Sequence, residues 1–333
     1  MNPLVQAFGT IALGLFGCVA WFWGTNLLLE LALPAKGRHA GRNLRVAGLI
    51  RPWLFLGPSA LLLMLYLVYP VFDTLWRSLH DASGHRFVGV ANYQWLAEDP
   101  KFRESFRNNL LWLIVVPALS TLFGLLVAQL TDRLTWGAWA RSLIFMPMAI
   151  SFVGAAVIWR LVYDFRPTDQ SQIGLLNALV RAFGGDPQIW LTLVPWNNLF
   201  LMAVLIWVQT GFAMMILSAA LRAIPEAMIE AAVLDGARGW PLFRDIQLPQ
   251  IAGTIAVVWT TITIMVLKVF DIVFVMTNGQ WGTQVLATLM YDWMFRGTPD
   301  FGRGSAIAVM LMVLVLPLMI WNIRRFLCKE AGW

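Results

Sequence analysis

The chain predicts an all-α fold, a polytopic transmembrane helical bundle of about seven spans, and three observations lead there. Hydrophobic residues fill 59% of the 333 positions and charged residues only 13%, against roughly 25% charged in a soluble domain. Mean hydropathy is +0.69. The apolar residues gather in runs of about the 20 residues that a helix needs to cross a bilayer, and polar segments separate the runs.

The first run covers residues 4–33. No Lys or Arg precedes it, and Lys36, Arg38, Arg42, Arg45 and Arg51 follow it. A secretory leader carries its flanking charge the other way round, so this run is expected to remain as a helix with its N-terminus outside. Six further runs lie at residues 53–76, 108–130, 142–162, 198–221, 252–276 and 304–326. Pro195 is expected to part an outer segment, beginning at Pro187, from the fifth run. Residues 281–303 are too polar to span and too apolar for a plain loop. Thr283, Thr288, Tyr291, Trp293 and Phe295 there point to an interfacial or re-entrant helix on the outer face.

Alternation puts the basic segment 36–51, the loop with Arg133 and Arg141, the polar island 222–250 and the tail with Arg324, Arg325 and Lys329 on one side. The positive-inside rule makes that side, and the C-terminus, cytoplasmic. Asp81, Glu98, Asp99, Glu104, Asp164, Asp169, Asp186, Asp292 and Asp300 fall opposite, together with Arg86, Lys101 and Arg103. The net charge of +6 and pI near 9.7 do not indicate nucleic acid, because the basic residues are scattered through juxtamembrane loops rather than gathered in a patch. Cys18 and Cys328 read as apolar fillers. His39, His80 and His85 have no ligand spacing, so no metal site is expected.

The polar island carries the chemistry. Arg222, Glu226, Glu230, Asp235, Arg238, Arg244 and Asp245 are interleaved with alanines. Gly236 and then Pro249 break the pattern, which predicts two short helical pieces meeting at the glycine. Ala231 and Ala232 would leave a low-profile surface beside Glu230, whose carboxylate can take a charge-assisted hydrogen bond from a cationic partner. No Gly-x4-Gly-Lys-Ser/Thr loop occurs, so the chain has no phosphate-cradling motif of its own.

Glu230-Ala231-Ala232, three residues, Gly236, nine residues, then Ile246-x-Leu248-Pro249 resembles the cytoplasmic coupling loop of permease subunits in binding-protein-dependent ABC importers. The segments from Phe87 to Tyr93, Gly174-Leu-Leu-Asn177 and Thr277-Asn278-Gly279 are similar to the sugar-permease branch related to the maltose system, and within it to α-glucoside-type permeases. The resemblance departs at Gly279-Gln280-Trp281, where the branch has a Gly-Gly-Pro turn. It implies a bacterial inner-membrane protein with an extra N-terminal helix and connector (residues 1–51) before a six-helix core (residues 52–333). It further implies a sister permease, separate ATPase subunits that carry ATP and Mg, an extracytoplasmic sugar-binding protein and a sugar substrate. Catalytic residues and a cofactor of the chain's own are not expected. Glu230 would anchor in the ATPase, Gly236 would set the bend, and Ile246, Leu248 and Pro249 would fix the loop to the sixth span, with Ala231, Ala232 and Asp235 in the same coupling loop.

Polar residues inside the membrane are costly and so are candidates for the path. Gln209 and Thr210 lie in the fifth run, and Thr260, Thr263, Lys268 and Asp271 lie on one broad side of the sixth, with Trp207, Phe212 and Trp259 as aromatic neighbours for a sugar. Each has a structural alternative. Lys268 and Asp271 are spaced to pair on one helix face, Thr hydroxyls bond their own backbone, and Gln and Thr join helices. Two other functions compete. A secondary transporter driven by an ion gradient needs intramembrane carboxylates and matched halves, and Asp271 alone is deep. An intramembrane enzyme needs a nucleophile with its base or a metal set, and neither is visible.

Overall fold

The computed structural model describes residues 3–34, 40–132 and 134–330; Lys36, Arg38, His39 and Arg133 lie outside them. The described residues are helical apart from turns and one isolated bridge between His80 and Phe87. Five helices are long and apolar enough to cross a membrane alone: Val5–Ala32, Ala40–Ser78, Pro100–Thr131, Asn197–Arg222 and Leu242–Leu267. A sixth span is a bent pair, and the final apolar helix, Phe301–Pro317, is shorter. The expected count of seven is therefore approximate.

The chain forms two compact units, residues 1–73 and 74–333. In the first, α1 (Pro3–Ala32) lies against α2 (Ala40–Leu63). The Trp21 indole N–H donates to the Leu54 carbonyl at 3.1 Å, and the Phe22 and Phe55 rings stack at 5.2 Å. The basic connector expected to end at residue 51 is already helical from Ala40. After α2 a π turn, Met64–Val68, leads into α3 (Tyr69–Ser78).

The second unit continues with α4 (Ala91–Glu98), α5 (Pro100–Thr131), α6 (Gly137–Phe145), α7 (Phe152–Val162), α8 (Leu175–Ala182) and α9 (Asn197–Arg222). It closes with α10 (Glu226–Leu234), α11 (Leu248–Leu267), α12 (Asp271–Met276), α13 (Leu286–Phe295) and α14 (Phe301–Glu330). Among lipid tails the exclusion of water does not drive helices together, so close packing and hydrogen bonds must. The seam of α5 and α9 shows both. Gly124 allows near backbone approach, Trp112, Leu201, Met202, Met214 and Leu217 are fully buried along it, and the Trp112 indole N–H donates to Asn198 Oδ1 at 3.4 Å; Gly211 on α9 does the same for the backbone of α6. A satellite cluster of Leu96, Phe102, Leu286, Leu289 and Ile307 joins α4, α5, α13 and α14. Arg303 lies 4.6 Å and 5.1 Å from the Trp95 and Trp293 ring centres beside it.

Three sequence expectations change. The fourth run, expected as one span over 142–162, bends by 106° between Gly137–Ala149 and α7. Pro147 opens a 3-10 turn, and Ser151 then caps α7 by accepting the Gly154 N–H at 3.1 Å, so the chain starts a new helix rather than extending the old one. The sixth run, expected over 252–276, breaks at residues 268–270. Pro249, expected to stop a helix, instead sits inside one continuous helix from Leu242 to Leu267. A π turn, Leu242–Gln247, ends two positions before it, as Met64–Val68 ends two positions before Pro70. A proline has no N–H for the carbonyl four residues back and its ring crowds that carbonyl; widening the preceding turn relieves both problems and the helix continues.

The family-like motif from Phe87 to Tyr93 also has a structural task. Buried Asn92 donates to the Ser78 and His80 carbonyls at 2.9 and 2.7 Å, and the Tyr93 hydroxyl meets Ser78 Oγ at 2.7 Å. His80, which follows the second apolar run, is buried, with Nδ1 2.7 Å from the Trp76 carbonyl.

Candidate functional site

The polar island folds as a short helix closed by a glycine. α10 runs from Glu226 to Leu234 with Asp235 as its C-cap. The Gly236 N–H donates to the Val233 carbonyl at 3.1 Å, and the Ala237 N–H reaches back five residues to the Ala232 carbonyl at 2.9 Å. This pair of bonds is the Schellman closure, and it requires a left-handed residue at Gly236, whose φ is +90°. The second helical piece is not separate. It is the π turn that runs into α11 and contains Ile246, with Leu248 starting α11 and Pro249 exposed next to it.

Glu230 and Ala231 face outward, whereas Ala232 is buried, and the half-buried Ile229 packs against the core cluster that holds Ile224. A common surface for Ala231 and Ala232 is thus corrected: successive helix positions differ by about 100°, and one of the two turns into the protein. The exposed face presents Glu230, Ala231, Leu234 and Asp235. Leu234 is 88% exposed, a large apolar side chain with nothing of this chain over it.

The helix ends around this segment are tied together. Asp132, which caps α5, accepts from Arg222 Nε at 2.9 Å and from Arg141 Nη1 at 3.3 Å. Gln129 Nε2 donates to Gln247 Oε1 at 3.2 Å. The end of α5, the start of α6, the end of α9, α10 and the π turn therefore share one end of the unit.

The path candidates are not brought together into one polar site. Gln209 is buried and its amide N–H points at the Met265 sulfur at 3.0 Å, joining α9 to α11. Thr210, Thr260 and Thr263 donate to carbonyls of their own helices, Ile206, Ala256 and Trp259. Phe212 is half-buried and Trp259 is exposed. Lys268 and Asp271 fall on either side of the break and form no ion pair with each other, which corrects the expected pairing on one helix face. Trp207 and Thr210 line a groove of about 790 Å³ with Leu119, Phe123, Ile144 and Ile206; its walls are almost wholly apolar.

At the opposite end lies a buried polar belt that sequence reasoning missed. Asn108 Nδ2 donates to the Gly282 and Gln284 carbonyls at 2.9 and 2.8 Å, and Asn109 Oδ1 accepts the Leu286 N–H at 2.8 Å. From α9, Asn198 Nδ2 reaches the Gly282 carbonyl at 3.1 Å and Asn197 Nδ2 the Trp281 carbonyl at 2.6 Å. All four asparagines are buried. They hold the turn between α12 and α13, where Asn278, Gly279, Trp281 and Gly282 all have positive φ. Arg296 braces the same turn through Asn278 Oδ1 at 2.6 Å and Asp292 at 3.1 Å. The segment expected as an interfacial or re-entrant helix thus has a buried start, with Leu286, Ala287, Thr288 and Leu289 inside the core. The signal was present as two Asn-Asn pairs, Asn108-Asn109 and Asn197-Asn198, each where an apolar run begins.

Among the described residues no group of three or more His, Cys, Asp or Glu side chains could hold a metal. The broken helices, the glycine-closed helix outside the apolar core and the all-helical bundle define a transport permease. Residues 120–323 match the family described as the binding-protein-dependent transport system inner membrane component. The chain belongs to that family. It is 63% identical, over 100% of both chains, to the α-glucoside transport system permease protein AglF of Rhizobium meliloti (strain 1021). It is 50% identical to the osmoprotective compounds uptake permease protein GgtC of Synechocystis sp., covering 83% of this chain and 99% of that one. A solved bacterial ABC transporter involved in import of the acidic polysaccharide alginate has a chain of the same fold, with a TM-score of 0.73 at 20% identity over 85% of this chain and 96% of that one. The protein is thus a multi-pass inner-membrane permease of a binding-protein-dependent ABC importer, and the secondary-transporter and enzyme alternatives fall away.

Proposed function

We propose that this chain conducts an α-glucoside or related oligosaccharide, together with a sister permease, and that α10 is the cytoplasmic helix through which ATPase subunits drive it. The name of the full-length relative at 63% identity supports the sugar class. The observation that carries the coupling reading is the presentation of Glu230, Leu234 and Asp235 on a short exposed helix whose far side rests on the core. Such a helix is a rigid knob with a carboxylate and an apolar tip, and it can enter a cleft on a partner and pass force to the attached α9 and α11. Arg222, Arg238 and Arg244 around it support a cytoplasmic placement, and hence an N-terminus outside.

ATP and Mg belong to the partner subunits, and an external sugar-binding protein delivers the solute. A solved alginate transporter is described in complex with an alginate pentasaccharide-bound periplasmic protein, which supports this arrangement. Gln209, Thr210, Phe212, Trp259, Thr263, Lys268 and Asp271 remain the path candidates. Lys268 and Asp271 gain weight from their place at a broken helix, where backbone groups are freed to bind solute.

The test is ATP-dependent uptake of a radiolabelled α-glucoside by the assembled transporter in proteoliposomes. Uptake should be lost in Glu230→Arg and in a deletion of residues 234–236. Uptake surviving both changes would refute the coupling role, and robust uptake of unrelated solutes with none of α-glucosides would refute the substrate.

A further inference from the structure

We propose that α5 is the strut that carries movement of the coupling segment to the α12–α13 turn at the opposite end, with Asp132 and Gln129 as positioning residues at one end and Asn108 and Asn109 at the other. This rests on the reading of α10 as the ATPase-facing helix.

The geometry at the first end is a double grip. Arg222 is the last residue of α9, and Gln247 is the last residue before α11. These are the two stems of the segment that contains α10. Asp132 holds the first at 2.9 Å and Gln129 the second at 3.2 Å. The two gripping residues are three apart, so they lie on one face at the end of a single helix. Arg141 gives Asp132 a second cationic partner and ties α6 to the same point.

At the other end the same helix holds a different loop. Asn108 and Asn109 make three bonds to the backbone at Gly282, Gln284 and Leu286. From Asn108 to Asp132 is about 36 Å at the ~1.5 Å rise of an α-helix. Along that length α5 is packed on α9 through buried Trp112, Val116 and Ala128. The turn it holds is a suitable receiver of movement. Trp281, a bulky residue at φ of +55°, holds a conformation that such side chains adopt rarely, and its carbonyl is fixed by Asn197. Loss of the strut's grip would let that turn relax independently of the coupling segment.

A purely structural ion pair at Asp132 would predict otherwise. Half-exposed pairs contribute little to stability, so Asp132→Asn should leave the bundle assembled. What changes is which parts move together.

The experiment uses the full transporter in proteoliposomes, with Cys18 and Cys328 replaced by Ala. A nitroxide is placed at Leu234→Cys on the coupling helix or at Gln280→Cys on the turn, both exposed positions. Spectra are recorded without nucleotide and with a non-hydrolysable ATP analogue. Both labels should respond in the parent. In Asp132→Asn with Gln129→Leu, the Leu234 label should respond as before while the Gln280 response falls at least fivefold, and uptake per ATP hydrolysed should fall with it. The swapped pair, Asp132→Arg with Arg222→Asp, made with Arg141→Gln to remove the second cation beside position 132, should restore the Gln280 response, and it carries the test if Asp132→Asn does not assemble. A Gln280 response of full amplitude in the double variant overturns the strut, as does an assembled swapped pair with no response. A silent Leu234 label in the parent overturns the coupling-helix reading itself, which separates that failure from this one.

Discussion

Gly124 of α5 lies so close to Met214 of α9 that a Cβ on the glycine would come within 2.8 Å of the Met214 amide nitrogen. Backbone cannot yield as a side-chain tip can. Gly124→Leu should therefore push the two central helices apart, at a cost of roughly 1–3 kcal/mol typical of overpacking. The thermal midpoint of the purified protein in detergent checks this, with Gly57→Leu as the comparison because nothing lies within 4 Å of Gly57. Equal midpoints would show that α5 and α9 are not in such close contact.

Asn108 offers its amide hydrogens to two carbonyls at once, Gly282 and Gln284. Asn108→Asp keeps the shape and removes both donors, leaving a carboxylate facing two acceptors. Its cost should exceed that of Asn108→Ala, which takes the side-chain donor from the Gln284 carbonyl at about 1–3 kcal/mol and leaves Asn198 on Gly282. Comparing thermal midpoints of the two variants decides it, and a better-tolerated Asp would mean that the belt is hydrated.

Gly236 has open space around it, so any penalty on substitution there is conformational. Gly236→Val should destabilise the end of α10 by roughly the 1–2 kcal/mol of a left-handed residue, and Gly236→Asn by less. Hydrogen exchange at Ala237, whose N–H closes the helix onto Ala232, reads this directly. Unchanged protection in the valine variant would contradict the closure.

Asp81 shows a pH effect with a defined sign. Ser83 Oγ donates to its carboxylate at 2.8 Å, and the His85 and Arg86 N–H groups add to this, so the group is held below its ordinary value, Ser83 foremost. A lowered carboxylate contributes order that is complete above the unfolded value near ~3.9 and is lost as pH falls through the folded one. Exchange protection of the Arg86 N–H should hold at pH 6 and fall below pH 4, and Asp81→Asn should remove that dependence. An unchanged pH profile in Asp81→Asn would assign the order to the backbone bridge alone.

Much of this arrangement was readable from the chain. The apolar runs gave the long helices because a bilayer leaves backbone groups no partner but each other. Glu230 to Pro249 was recognisable because its spacing is local. What escaped was set by tertiary neighbours. The role of Pro249 depends on a π turn that no propensity announces, and the 106° bend depends on where Ser151 finds an N–H to accept. Lys268 and Asp271 have the spacing of a helix pair, and only the break between them separates them. Asp132 and Gln129 are ordinary polar residues at the end of a helix until Arg222 and Gln247 arrive from over a hundred positions downstream in one case and ninety in the other. The asparagine pairs were visible, but not the turn that they grip.

On the proposed function, α10 is the point where an ATPase engages this chain. The most direct measurement is site-specific crosslinking from Leu234→Cys in membranes that contain the whole transporter, with Asp169→Cys in the loop before α8 as the comparison. Leu234→Cys should give a crosslinked product of this chain with the ATPase subunit, and Asp169→Cys none. No such product, or labelling of Leu234→Cys in intact spheroplasts by a maleimide that cannot cross the membrane, would contradict it.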